Sequence, residues 1–135
     1  MSNKDVMRQM LKDVIQTFSN NPSKTRSASR SGCQYFPGGQ YFPDEGRRET
    51  SPGCAIGMYI PWKDEGKFKG CNSSSIGIIL ETSPGLLPPW MRGLDSQFLT
   101  DLQCLHDRTC HWSDEEGLTK DGKEWVAIIK VKYKL

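Results

Sequence analysis

A cysteine, a histidine and an aspartate that could carry out nucleophilic chemistry together occur at two places in this chain. Cys54 follows a Pro-Gly turn and opens a short apolar run that Pro61 closes. If the run forms a helical turn, the Cys54 sulfur lies beside unpaired N–H groups, which lower a thiol pKa and favour the reactive thiolate. His106 and Asp107 follow later as neighbours in sequence. The pattern predicts a catalytic site with Cys54 as nucleophile, His106 as base and Asp107 as orienting carboxylate.

One physical objection applies to this catalytic interpretation. Neighbouring residues on a helix project about 100° apart, so Asp107 is predicted to orient the His106 imidazole poorly. An orienting carboxylate would then have to come from elsewhere in the chain. The alternative is that His106 or Asp107 forms a buried hydrogen bond that links its helix to the Cys54 turn.

The same residues also allow a metal site. His106 and Cys110 are four residues apart, so on a continuous helix they share a face and can ligate one ion. Cys33 and Cys54 would complete a tetrahedral zinc site. The spacing matches no common zinc module, and buried cysteines often pack as small apolar side chains. We therefore expect no cofactor, with zinc as the exception to test.

A basic and aromatic segment between residues 24 and 48 could bind a ligand. Gln-Tyr-Phe-Pro occurs at 34–37 and again at 40–43, with two glycines between the copies, which predicts a short β-hairpin. Arginines bind phosphate and aromatic rings stack on bases. The predicted ligand-binding residues are Arg26, Arg30, Tyr35, Tyr41, Arg47 and Arg48. The alternatives are a solvated basic loop, and rings that face the core or shield a loop.

Composition restricts the class of protein. Hydrophobic residues make up 36% and charged residues 25% of the 135 residues, and no apolar run approaches the length of a membrane span. Five cysteines without a secretory signal predict a reducing cytoplasm. The net charge of +2 makes nucleic acid a weaker expectation than a small ligand or a protein.

Apolar periodicity predicts the elements that must position these residues. Apolar side chains at three- and four-residue spacings predict an N-terminal helix that Ser2 or Asn3 caps and residues 20–22 end. A second helix is predicted from Asp95 or Ser96 to about His111. Residues 123–135 fit a helix or a strand, and we favour a helix that begins at Gly122.

These elements predict a mainly α (α+β) fold. We expect a single compact domain of about four to five helices with a short aromatic β-hairpin. Its parts are an N-terminal helix at 1–21, a basic and aromatic loop with the hairpin at 22–53, and a helical core at 54–135. The apolar, proline-rich loop 86–91 is predicted to be a protein-contact patch if it is exposed and a lid over the core if it is buried.

Three short motifs in this chain resemble a group of small proteins from tailed bacteriophages and prophages. The motifs are Cys33-x-Tyr35, Cys54-Ala55-Ile56-Gly57-x-x-Ile60-Pro61 and Leu102-Gln103-x-x-His106-Asp107. The resemblance covers residues 24 to 112. Two departures are a longer gap between Cys33 and Cys54, and the cysteines at 71, 104 and 110, which lie outside the shared pattern.

The resemblance implies a phage accessory protein in the cytoplasm of an infected or lysogenic bacterial host. Such proteins act mostly by binding, so we expect one that sequesters a host-derived, phosphate-containing, nucleotide-like ligand or inhibits a host protein, with a role against host defence. A cysteine-dependent hydrolase or transferase that uses Cys54 and His106 is the alternative. We expect a binding protein before an enzyme, and the oligomeric state is left open.

Overall fold

The computed structural model describes residues 2–25, 35, 41–42, 47–48, 54–60, 62–68 and 74–135, and at 23–24, 41–42, 47–48, 62–63 and 65 it describes the backbone alone. The described chain is a mainly helical, compact single domain with a small β component, which confirms the predicted fold class. Its helices are α1 (Asn3–Ser19), α2 (Pro22–Thr25), α3 (Ile76–Thr82), α4 (Pro89–Arg92), α5 (Ser96–Asp107) and α6 (Lys120–Tyr133). Segments of 3-10 helix lie at Gly57–Tyr59, Trp62–Phe68, Pro84–Leu86 and Thr109–His111.

Helix α1 has the predicted limits. Ser2 and Asp5 cap its start reciprocally: the Ser2 hydroxyl accepts the Asp5 N–H at 3.2 Å, and the Asp5 carboxylate accepts the Ser2 N–H at 3.3 Å. The helix ends at Ser19 with Asn20 as its C-cap, and Asn21 has a positive φ of 59°. One apolar face is buried, as the periodicity predicts, and consists of Met7, Met10, Leu11, Val14 and Phe18.

Helix α5 begins where the sequence predicts but ends four residues earlier. Asp95 caps it by accepting the Gln97 N–H at 2.8 Å. Arg108 leaves the helical conformation at ψ 118°, and a separate turn follows. Hydrogen bonds to the Leu105 carbonyl oxygen explain why the helix ends early. This oxygen accepts from the Trp112 indole at 2.8 Å and from His111 Nδ1 at 3.0 Å. These side chains satisfy a carbonyl in the last turn of the helix, and they can reach it because the chain turns back.

The C-terminal segment is a helix, as we predicted, and it begins at Lys120 rather than Gly122. The Thr119 hydroxyl caps it by accepting the Gly122 N–H at 3.2 Å. Gly122 packs so closely on the His111 carbonyl oxygen that a Cβ there would collide with it. The position of the glycine therefore reflects close packing between α6 and the preceding turn.

Two short antiparallel strand pairs complete the described fold. Strand β1 (Tyr41–Phe42) pairs with β2 (Arg47–Arg48), which confirms a hairpin in the aromatic segment, although its second strand is the arginine pair and not the first copy of the aromatic repeat. Strand β3 (Trp112–Ser113) pairs with β4 (Gly117–Leu118), and no pattern in the sequence predicted this hairpin. Gly117 has a positive φ of 74°, a conformation that glycine adopts without strain.

Helix α5 is the central element of the core, since it contacts α1, α3 and α6. Its apolar side chains Phe98, Leu99, Leu102 and Leu105 have no exposed surface. Among the described residues, no helix combines the length and the apolar character needed to cross a membrane.

A buried carboxylate joins α5 to α6. Asp101 on α5 accepts hydrogen bonds from the Tyr133 hydroxyl at 2.6 Å, from Lys132 Nζ at 3.0 Å and from the Gln97 amide at 3.0 Å. Burial alone would raise the pKa of Asp101, but these hydrogen bonds outweigh it and hold the pKa below its ordinary value. The ionised form of Asp101 is therefore the form that stabilises the fold.

We expect Asp101→Asn to lower the free energy of unfolding at pH 7 by about 1–2 kcal/mol, because charged hydrogen bonds are lost in a buried position. A carboxyl with a lowered pKa contributes its full stability above the unfolded-state value near pH 4 and loses it as the pH falls through the folded-state value. The wild type should therefore lose stability on acidification more steeply than Asp101→Asn.

Urea unfolding from pH 7 to pH 2 measures both effects. Glu81→Gln, which removes an exposed carboxylate on α3, is the control and should change little. Parallel pH profiles for wild type and Asp101→Asn would contradict the assignment.

Candidate functional site

The predicted nucleophile Cys54 lies in the core. The turn that follows it is present, and the Gly57 N–H points at the Cys54 sulfur at 3.4 Å, as the sequence predicted. However, Cys54 and its neighbours Ala55 and Ile56 have no exposed surface. A substrate cannot reach this sulfur in the folded conformation.

His106 and Asp107, which we predicted to be poorly oriented toward each other, are in direct contact. His106 Nδ1 lies 2.7 Å from Asp107 Oδ1. The prediction that Asp107 orients the His106 imidazole poorly was wrong, because the two side chains meet at the last turn of α5. The imidazole has no exposed surface and packs edge-on against the Phe18 ring, with the ring centres 4.6 Å apart. The arrangement fixes the histidine ring and joins α5 to α1.

The predicted zinc ligands do not share one helix face. Because α5 ends at Asp107, Cys110 lies beyond the helix in an exposed turn, whereas His106 and Cys54 are enclosed. The expected pair of ligands four residues apart on one helix was therefore wrong. Cys33 lies outside the described residues. Within the described ranges, no three His, Cys, Asp or Glu side chains are placed so that they could hold a metal ion.

Tyr35 is a core residue and not a stacking platform. Its side chain has no exposed surface, its hydroxyl donates to the Ser74 carbonyl oxygen at 2.8 Å, and its ring lies 5.3 Å from that of Phe68. Gly57 packs directly on the Tyr35 backbone, where a Cβ would collide with the carbonyl oxygen. The cysteine-containing turn and Tyr35 thus form one packed unit.

The structure describes the other predicted ligand-binding residues only in part. Arg26 and Arg30 lie outside the described residues. The backbone pairing sets Tyr41 opposite Arg48, with Arg47 next to it on the same strand. The hairpin therefore sets an aromatic residue directly opposite a basic one on the neighbouring strand.

A pocket of about 400 Å³ lies between the turn region 59–67 and the proline-rich segment 85–92. Residues from distant parts of the sequence line it, among them Tyr59, Asp64, Lys67, Pro88, Trp90 and Arg92. Its volume is within the usual range of small-molecule sites. The sequence singled out the loop that forms one wall, but the cations and Tyr59 carried no local signal.

An aromatic pair forms the apolar part of this pocket. Trp90 is 46% exposed and meets the Tyr59 ring edge-on, with the centres 5.5 Å apart and the planes at 86°. The Tyr59 hydroxyl donates to Asp13 on α1 at 2.8 Å, and the Gln9 amide donates to the same carboxylate at 2.7 Å. Burial and the Asp13 carboxylate raise the pKa of Tyr59 well above its ordinary value. Tyr59 therefore remains a neutral donor that ties the pocket wall to α1.

Two cations and one carboxylate supply the polar part of the pocket. Arg92 is exposed, and its Nε donates to the Leu87 carbonyl oxygen at 2.9 Å, which holds the guanidinium in place. Lys67 lies 3.1 Å from Asp64, and its side chain is 67% exposed. The three charges leave a net positive pocket beside an accessible aromatic ring.

No protein-family model, curated protein or solved structure matches this chain.

We expect the cysteines to differ strongly in reactivity. In the folded protein, iodoacetamide should alkylate the exposed Cys110 at least about tenfold faster than the enclosed Cys54, because Cys54 needs a local opening to react. Peptide mass spectrometry after timed quenching measures each rate, and the rates in urea provide the control. Equal rates for the two thiols in the folded protein would restore Cys54 as a candidate nucleophile.

Gly57→Ala should lower the free energy of unfolding by about 1–3 kcal/mol, because the added methyl group must displace the Tyr35 backbone. Gly66→Ala is the matched control, since a Cβ there has no neighbour within 4 Å. Urea unfolding of both variants compares the two sites. A Gly57→Ala variant as stable as wild type would show that the turn and Tyr35 are not packed as described.

Proposed function

We propose that this protein acts by binding, and that it captures an anionic, nucleotide-like small molecule in the pocket between Tyr59 and Arg92. One observation carries the proposal: a half-exposed Trp90 is fixed by Tyr59 beside Arg92 and Lys67. A planar base and a phosphate group need this combination of an aromatic ring and positive charge.

The aromatic wall is suited to a planar ring because it is held before a ligand arrives. Tyr59 is anchored to Asp13, and Trp90 is anchored by Tyr59 and by its place in a helix that begins at Pro89. A side chain that is already ordered loses little conformational entropy on binding. Stacking of a base on such a ring contributes about 1–3 kcal/mol.

The cationic part is suited to phosphate oxygens. The Arg92 bond to the Leu87 carbonyl uses Nε, so the two terminal amino groups can donate side by side to an anion. Lys67 adds a mobile point charge, and its partner Asp64 can accept hydroxyl or amino hydrogens of the same ligand. The pocket thus provides complementary groups for each part of a nucleotide.

The biological setting of the proposal comes from the sequence. The resemblance to small proteins of tailed phages supports a host-derived ligand, removed from the cytoplasm of an infected cell as a step against host defence. Arg47 and Arg48, on β2, are proposed as additional cations for phosphate. The cysteine-dependent hydrolase or transferase is not favoured, since Cys54 and His106 are both enclosed.

Isothermal titration calorimetry with purine and pyrimidine nucleoside mono-, di- and triphosphates, and with inorganic phosphate, tests this proposal. We expect at least one nucleotide to bind more tightly than phosphate alone. Trp90→Ala and Arg92→Ala should each weaken it by about tenfold or more, because each removes a contact worth at least about 1.4 kcal/mol.

Arg108→Ala is the matched control, since Arg108 is an exposed arginine outside the pocket lining, and it should bind like wild type. Thermal unfolding confirms that the variants are folded. No binding of any nucleotide, or binding that Trp90→Ala and Arg92→Ala leave unchanged, would refute the proposal.

A further inference from the structure

The outer face of helix α6 carries an apolar strip that nothing in the described chain covers. Ala127, Ile128 and Val131 face outward, and Ile128 is 52% and Val131 80% exposed. With Lys132 they border a shallow hollow of about 390 Å³. The opposite face of the same helix buries Val126 and Ile129 in the core. Helix α6 is thus apolar on two faces.

Packing within the described part of the chain does not explain this strip. Isoleucine and valine lose side-chain freedom in a helix and are poorer helix formers than lysine, glutamate or alanine. At positions that are 52% and 80% exposed they recover only part of that cost through burial. Their presence on successive turns of the exposed face indicates that a partner covers the face.

The charges around the strip show what kind of partner fits. Lys130 and Lys132 lie in its C-terminal half and Lys134 follows at the end of the helix, with no acid among residues 125–135. The two acids of α6, Asp121 and Glu124, lie in its first turns with Lys120 and Lys123. Glu124 stands three and four residues before Ala127 and Ile128, so it borders the N-terminal end of the strip. Lys132 also contacts Asp101 of α5 from the core side. Cations therefore border the apolar strip, and most strongly toward its C-terminal end.

We propose that the Ala127–Val131 face of α6 docks an acidic amphipathic helix of a partner protein. Apolar side chains of that helix cover Ile128 and Val131, and its carboxylates pair with Lys130 and Lys123, whereas Lys132 stays bound to Asp101. A second copy of this chain fits less well, because it would bring a second lysine-rich segment to the same face. A nucleic-acid backbone would set phosphates against the apolar side chains.

This face lies on a different element from the pocket at Trp90, so the inference extends beyond ligand capture. It assigns the chain a second binding surface with a protein partner. The two surfaces can be tested independently, because none of the residues that line the pocket lies on α6.

The test uses the full chain and a synthetic amphipathic peptide of about 20 residues, with leucines on one face and glutamates beside them. We expect the peptide to shift amide resonances of α6 in two-dimensional NMR spectra, with a Kd below about 1 mM. The Kd should rise about tenfold when the salt concentration is raised, because salt screens the charge pairs. A counterpart with lysine in place of each glutamate should not bind.

The double variant Ile128→Gln/Val131→Gln should weaken peptide binding by about tenfold or more, because it removes the apolar contact. Ile78→Gln on α3 is the matched control, since Ile78 is equally exposed at 51% and lies outside the face. All substitutions are at exposed positions, so the fold is retained. Equal binding of the lysine peptide, or no effect of the double variant, would overturn the proposal.

Two further outcomes would replace the proposed partner helix with another occupant of this face. A dimer in sedimentation analysis that the double variant abolishes would assign the face to a second copy. Binding to phosphatidylcholine vesicles that contain phosphatidylglycerol, lost in the double variant, would assign it to a membrane surface.

Discussion

Burial of helix α5 is the constraint on which the rest of the described structure depends. A helix enclosed by neighbours must have its last carbonyls and any buried carboxylate satisfied by protein groups, since water cannot reach them. The Leu105 carbonyl receives His111 and Trp112, and the Asp101 carboxylate receives Lys132 and Tyr133. The chain after α5 therefore folds back onto it, first through a turn and hairpin and then through α6. These polar contacts set the position of both elements, and apolar packing then fills the space between them.

The same packing explains why the motifs that suggest chemistry have structural roles. Gly57 is required where the turn lies on the Tyr35 backbone, and Cys54 fills the space beneath that turn. His106 packs on Phe18, with Asp107 bound to its ring. A string with cysteine, glycine, histidine and aspartate can thus mark close contacts between elements. Close packing limits which residue types fit at these positions. A catalytic site also limits its residue types, so the sequence alone does not distinguish the two cases.

Periodicity and capping residues were sufficient to predict α1 and the start of α5, because these depend on neighbours along the chain. For α6 the periodicity also fitted a strand, and the helix that we favoured is confirmed. The end of α5 could not be predicted in this way, since it depends on side chains that reach back from His111 and Trp112. The pocket was hidden for the same reason. Tyr59 and Trp90 lie far apart in sequence, and the anchoring carboxylate of Asp13 comes from the first helix. Local patterns predict elements, whereas a site assembled from several elements depends on their packing.

The anchoring of Tyr59 has a consequence for how the pocket would recognise an anion. A tyrosine is neutral in the physiological range, and burial and Asp13 raise the pKa of Tyr59 further, so it keeps donating to Asp13. The aromatic wall then carries no charge that changes with pH. Arg92 lines the same pocket and supplies a positive charge beside this wall. A phosphate ligand gains its second negative charge near pH 6. Attraction of the ligand to Arg92 would therefore increase as the phosphate gains charge, while the contact with α1 holds the aromatic wall in place.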